Sequence, residues 1–178
     1  MKIEKHNIVR NKLSYSKGER PDVDCILCGV ASGDPRVDNL LVHREGGYFV
    51  TMNLYPYNPG HVMVVPERHI EDIREFNDAD TMEMHRMQVL SIGVLERVYR
   101  PSGFNVGYNL GDGSGASIHH LHLQIVPRYR TEVGFFDLLS DSRVIVEAPE
   151  VSREKLQQAF SEAANGQHTG KDNGAGRE

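Results

Sequence analysis

The stretch IHHLHLQIVP, residues 118–127, constrains the fold more than any other. Side chains along a strand alternate between its two faces. Leu121, Leu123 and Ile125 then share one face, and His120, His122 and Gln124 share the other. A uniformly apolar face must lie against a helix or core, which sets the register, because a slip of one residue would turn the leucines to water. The chain therefore needs a sheet with a covered face, and it presents three polar groups from a rigid element. Rigid presentation is what catalysis or metal binding requires. The bland alternative is a solvated strand face, but such faces ordinarily use Thr, Lys and Glu.

The rest of the chain supplies that sheet and its cover. NLLVHRE and GYFVTMN read as two strands joined at Gly46–Gly47, a hairpin signal. LYPYNPG is a turn-rich break, and HVMVVP is a short buried strand closed by Pro66. The segment from Asn77 to Arg100 reads as one long helix, capped by Asn77 or Asp78, with Met84, Met87, Leu90, Val94, Leu95 and Val98 forming its core stripe. FNVGYNLG and the histidine row are the next two strands, separated by GDGSGAS, a glycine-rich turn suited to wrapping backbone N–H groups around an anion. VGFFDLL reads as a short helix or a dimer-facing loop, RVIVEAP as an edge strand, and SREKLQQAFSEAA as a final helix capped by Ser152. The expected architecture is α+β: an antiparallel sheet of about five strands with one long helix and a C-terminal helix. Residues 1–20 read as an N-terminal arm, 21–163 as a single domain, and 164–178 as a disordered tail.

Composition narrows the function classes. The net charge of −5 argues against broad nucleic-acid binding, so an anionic substrate needs a local donor-rich pocket. No run of eighteen apolar residues points to a membrane span, and MKIEKHNIVRNKL lacks the apolar core of a secretion signal. A cytoplasmic location is expected. In a reducing compartment a structural disulfide between Cys25 and Cys28 is disfavoured. The C-x-x-C spacing then leaves a metal half-site, a redox pair or coincidence, and the loop-like flanks at 21–38 lack the βαβ context of a redox motif.

HHLHLQIVPR following GDGSGAS, together with FVTMNLYPYNPGHVMVVPERH upstream, resembles the histidine triad (HIT) nucleotide-binding proteins over roughly residues 23–147. The long NLYPYNPGH turn and the C-terminal extension are most similar to the diadenosine tetraphosphate phosphorylase branch. The resemblance implies a HIT-like fold in which His122 is the nucleophile toward an α-phosphorus, its other ring nitrogen held by an acceptor. It implies that the turn containing Gly115, with Ser117 and Asn109, meets the phosphate, and that Asn53 meets the ribose, although an Asn there can also simply form a turn. Arg128 and Arg130 are candidates for distal phosphates, or ordinary surface arginines. His61 falls at a family position with a structural role, and His43 reads as a strand surface residue.

Gln124 departs from the triad. A histidine there can carry a proton to a leaving group or from water; an amide cannot. Family members with His-x-His-x-Gln, among them galactose-1-phosphate uridylyltransferases, are transferases, so the expectation tilts toward nucleotidyl transfer from a nucleotide or dinucleoside polyphosphate, with hydrolysis or plain nucleotide binding as alternatives. The resemblance further implies a structural zinc on Cys25, Cys28, His69 and His120, with His119 the competing fourth ligand, and a homodimer. His120 would thus belong both to the metal site and, with His122 and Gln124, to the catalytic row.

Overall fold

The computed structural model describes residues 21–115, 117–130 and 148–168. In chain order these form α1 (Ile26–Ser32), β1 (Leu41–Glu45), β2 (Tyr48–Met52), β3 (Val62–Pro66), α2 (Asp78–Tyr99), β4 (Gly103–Tyr108), β5 (Leu123–Arg128) and α3 (Pro149–His168). The five strands make one sheet in the order β1-β2-β3-β5-β4, every neighbouring pair antiparallel. This is the α+β architecture expected.

The sheet is covered on both sides. Val50, Val62, Val64, Leu123 and Ile125 face α2 and α3, where they meet Met87, Leu95, Leu156 and Phe160. Phe49, Met63 and Val65 face the other way, against Leu27 and Val30 of α1. Two covered faces explain why all of β3 is buried and why VMVVP carries no polar residue. The β1–β2 hairpin turns at Gly46 and Gly47, whose φ values of 61° and 77° belong to the left-handed region that glycine enters without strain.

The long helix is as expected. Asn77 caps it, its side chain accepting from the Asp80 N–H while Asp80 reaches back to the Asn77 N–H. Met84, Met87, Leu90, Val94 and Leu95 are buried beneath it. Arg100 leaves the helix in the left-handed region at φ 48°, ahead of Pro101, which disfavours a continued α conformation.

Four local expectations need correction. Residues 21–38 do not form a plain loop: Cys25 caps α1, and Gly33 ends it at φ 72°. The final helix opens at Pro149, three residues before Ser152, whose N–H already bonds the Ala148 carbonyl inside the helix. Proline suits the first turn, where its missing N–H has no partner to lose. The same helix runs to His168, past residue 164 where the tail was expected to begin. His43 is not a surface residue: a register shift between Leu41 and His43 aims it at α3, where it stacks on Phe160 with ring centroids 5.0 Å apart. VGFFDLL, the arm at 1–20 and all but the last two residues of RVIVEAP lie outside the described residues.

α3 also closes one sheet edge. Gln157 and Arg153 donate to the Leu41 and Asn39 carbonyls, groups that an edge strand would otherwise leave open. Among the described residues no helix is long and apolar enough to cross a membrane.

Candidate active site and metal centre

The ladder of β5 begins at Leu123, opposite Val64 and Tyr108. The histidines were expected inside this strand and instead precede it. Two bonds draw them off the ladder: the Leu121 N–H donates to the Ile70 carbonyl at 2.7 Å, and His120 Nε2 bonds the Pro66 carbonyl at 2.9 Å. The alternation of faces nevertheless survives, since His122 and Gln124 line one cavity while Leu123 sits in the core on the other side.

Hydrogen bonds assign each proton along the row. A carbonyl only accepts, so His120 carries its proton on Nε2 and turns a bare Nδ1 the other way. The His120 carbonyl in turn accepts from His122 Nδ1–H at 2.8 Å, which leaves His122 Nε2 as the nitrogen with a lone pair. On the far side, the Tyr57 backbone N–H donates to His61 Nδ1 at 3.1 Å. His61 is therefore neutral with its proton on Nε2, and it donates to Gln124 Oε1 at 2.6 Å. That bond orients the amide, so Gln124 Nε2–H faces His122 Nε2 at 3.3 Å. A continuous chain thus runs from the Tyr57 backbone to the Pro66 carbonyl, with the His122 lone pair in its middle. Burial lowers the pKa of His122 below its usual 6.5 and outweighs the carbonyl bond, which acts to raise it. The ring is neutral at neutral pH.

His61 was assigned only a structural role by resemblance; its bond to Gln124 is the finding. The cross-strand register accounts for it. Met63 is directly opposite Gln124, and His61, two residues along, points to the same face.

The cavity around His122 has a volume of about 500 Å³. Its apolar wall comes from α1 and the residues before β1: Ile26, Leu27, Val30, Val37 and Leu40. Its polar wall comes from Asn53, Ser117, His122 and Gln124. Asn53 does form a turn, its Oδ1 accepting from the Tyr55 N–H at 2.8 Å, yet its Nδ2 stays with Met63 in the cavity wall. The structure does not bring the other expected residues here. Asn109 and Gly115 are exposed and outside the lining. Arg128 stands at the far end of β5, roughly 20 Å along the strand from His122 at about 3.3 Å per residue, and donates to Asn105 Oδ1 at 3.0 Å. Arg130 is likewise outside the lining.

Beside the cavity, Cys25, Cys28, His69 and His120 place their ligand atoms within 4.8 Å of one another. Cys25 Sγ and Cys28 Sγ lie 3.4 and 3.5 Å from the bare His120 Nδ1, and Cys28 Sγ lies 3.3 Å from His69 Nδ1. Zinc bonds of about 2.3 Å to sulfur and 2.0–2.1 Å to nitrogen, set tetrahedrally, give sulfur–nitrogen edges of about 3.5 Å. The four residues fit such an ion. Burial first, then the neighbouring Cys25, pushes the Cys28 thiol up to about 11, so two thiolates here call for a cation between them. His119 is not in the cluster; its side chain is largely exposed and lies 3.9 Å from Asp112. His120 belongs to the metal cluster and touches the cavity chemistry only through its carbonyl.

The chain is similar to several known proteins. Over 109 residues, 61% of its length, it is 40% identical to the AP-4-A phosphorylase of Mycobacterium tuberculosis, of which the match covers 56%; the chain thus spans about half of that relative. It is 28% identical to Protein hit of Bacillus subtilis, covering 63% of this chain and 76% of that one. The fold is shared with a Zn-bound histidine triad family protein from Mycobacterium smegmatis, at a TM-score of 0.65 and 22% identity over 80% of this chain and 97% of the other. A histidine triad nucleotide-binding protein from Sulfolobus tokodaii aligns at a TM-score of 0.67 and 20% identity, covering 85% of this chain and 100% of the other. The HIT domain family model matches residues 35–131, which hold all five strands, His61 and the whole histidine row, and the chain belongs to that family.

Proposed function

We propose that the chain is a nucleotidyltransferase that passes a nucleoside monophosphate from a dinucleoside polyphosphate to inorganic phosphate by way of His122. The observation that carries this reading is the proton order of the row: a neutral His122 with its lone pair on Nε2, beside an amide that cannot carry a proton. In the first step His122 Nε2 attacks the α-phosphorus, a P–N bond forms and the bridging P–O bond breaks. The leaving polyphosphate departs as an anion that needs no proton at neutral pH. In the second step a phosphate oxygen attacks the same phosphorus, the P–N bond breaks, and His122 regains its lone pair. Gln124 Nε2–H and the Ser117 hydroxyl donate to phosphoryl oxygens as charge builds there. The His120 carbonyl holds the His122 proton on Nδ1 and shares the positive charge the ring gains. Because Gln124 cannot draw a proton from water, the nucleotidyl-histidine waits for phosphate. The 40% identity with an AP-4-A phosphorylase supports the same reading.

A structural zinc is part of the proposal. Cys25, Cys28, His69 and His120 would hold it, and four protein ligands leave no open position for substrate. It would supply no chemistry to the transfer; it would pin α1 and His120 to the sheet. Homodimerisation, expected from the resemblance, would use the β4 edge, which no described strand covers.

Hydrolysis is the second reading. An asymmetrical bis(5'-nucleosyl)-tetraphosphatase of Schizosaccharomyces pombe is 28% identical over 88 residues, 49% of this chain and 48% of its own length. One experiment separates the readings. The protein is incubated with a diadenosine polyphosphate with and without phosphate, and products and intact-protein mass are measured. Transfer predicts ADP formed only with phosphate, and an acid-labile, base-stable AMP adduct that His122→Asn abolishes. Turnover that ignores phosphate supports hydrolysis, and nucleotide binding with neither adduct nor turnover leaves a binding protein.

A further inference from the structure

At the tip of the turn between β2 and β3, Tyr57 and Pro59 are exposed, yet Asn58 between them is buried. An amide is costly to bury unless it is bonded. Asn58 Nδ2 donates to the Pro127 carbonyl at 2.7 Å, across 69 positions of chain. β3 pairs with β5 only where Val62–Val64 face Ile125–Leu123, so that carbonyl lies beyond the end of the ladder. The Asn58 side chain supplies the donor that the strand does not. The Tyr129 hydroxyl adds a second, exposed tether, donating to the Pro59 carbonyl at 3.0 Å.

The latched turn folds back onto His61. The His61 backbone N–H donates to the Asn58 carbonyl at 3.1 Å, and the Tyr57 N–H donates to His61 Nδ1 at 3.1 Å. The residue that grips β5 thus directly follows the N–H that sets the His61 tautomer, and its own carbonyl holds the His61 backbone. We infer that Asn58 is a positioning residue: its bond to Pro127 keeps the Tyr57 N–H on His61 Nδ1, which keeps the His61 proton on Nε2 and so aims the Gln124 amide at His122. Without the latch, His61 Nδ1 loses its donor and the ring can carry its proton there. Gln124 then turns over to donate to the bare His61 Nε2, and its oxygen faces the His122 lone pair, acceptor against acceptor. The consequence at His122 rests on the nucleotidyl-transfer reading above; the consequence at His61 does not.

Two measurements test this. In the full, metal-loaded chain with isotope-labelled histidine, long-range proton–nitrogen spectra read which ring nitrogen carries the proton. The wild type is expected to show His61 protonated on Nε2. Asn58→Ala should move population to the Nδ1 tautomer. Asn58→Ser, whose hydroxyl is too short to reach Pro127, should do the same if the alanine variant does not fold. Ser91→Ala removes a buried bond of equal length to the Met87 carbonyl within α2, and should leave the His61 signals in place. The second measurement is the rate of adduct formation at His122. The Asn58 substitution should slow it about tenfold, as expected of losing one buried bond, and should slow it no further in a His61→Phe background, because it acts through His61. A wild-type His61 protonated on Nδ1, or a tautomer that the Asn58 variants leave unchanged, overturns the inference. So does an equal shift in Ser91→Ala, or an additive loss in the double variant. A wild type that forms no adduct overturns the nucleotidyl-transfer reading instead, and the spectra alone then decide the role of Asn58.

Discussion

His61 and Gln124 act as one unit. The amide has two orientations, and only one puts its N–H groups toward His122; His61 selects it by donating to Oε1. Replacing His61 with Phe keeps a ring in the same buried space but removes the donor. Adduct formation at His122 is then expected to slow about tenfold, in line with losing one buried bond, while the affinity for AMP changes little. Stopped substrate turnover paired with calorimetry checks this split, and an equal loss in both would assign His61 to binding instead. Gln124→His returns a proton carrier to the row, so the share of product released to water, without phosphate, should rise. If that variant only loses activity, the amide has another purpose. The pH profile follows from the same row. Because the His122 pKa lies below 6.5, the nucleophilic form is already dominant at pH 6.5, and the rate of adduct formation should be level above it and fall only in more acidic buffer. The unfolded chain takes up that proton first, so the buried neutral ring contributes stability in full above pH 6.5 and loses it as pH falls through the lowered value. Urea midpoints at pH 7.5 and 5.5 report the difference.

At the scale of elements, α1 does two jobs with about two turns of helix. It brings Cys28 to the metal cluster, and it brings Ile26, Leu27 and Val30 to the cavity wall. Stripping metal with a chelator should therefore weaken AMP binding, followed by calorimetry against metal content, while the α2–α3 side of the sheet keeps its packing. Unchanged affinity in metal-free protein would separate the two jobs. This helix was not legible in the sequence. Seven residues are too few to show a helical period, and its cap is a cysteine rather than Ser, Thr, Asp or Asn. α2 was legible end to end, because its capping box and its apolar stripe are local signals. α3 packs by Phe160, fully buried and stacked on His43. Phe160→Ala should cost about 3–5 kcal/mol in denaturant unfolding, as truncation of a buried aromatic does.

Across the whole molecule, α2 and α3 cover one side of the sheet, and α1 with the cavity it lines lies on the other. The edges differ as well. α3 donates to the Leu41 carbonyl of β1, whereas β4 is exposed at Asn105, Val106 and Gly107 and has no described neighbour beyond it. If the proposed dimer forms there, Val106→Lys should shift the mass seen by light scattering toward the monomer, since a charge on an edge discourages pairing. Strands, the long helix, the hairpin glycines and the order of polar and apolar faces follow from the sequence by itself, because each depends on residues a few positions apart. Only the tertiary structure decides which histidines join the cysteine pair, which holds the amide and which accepts from it. Cys25 and His120 are 95 positions apart, Cys28 and His69 are 41, and His61 and Gln124 are 63. Their meeting depends on strand order and register, and those are set by how the two faces of the sheet are buried.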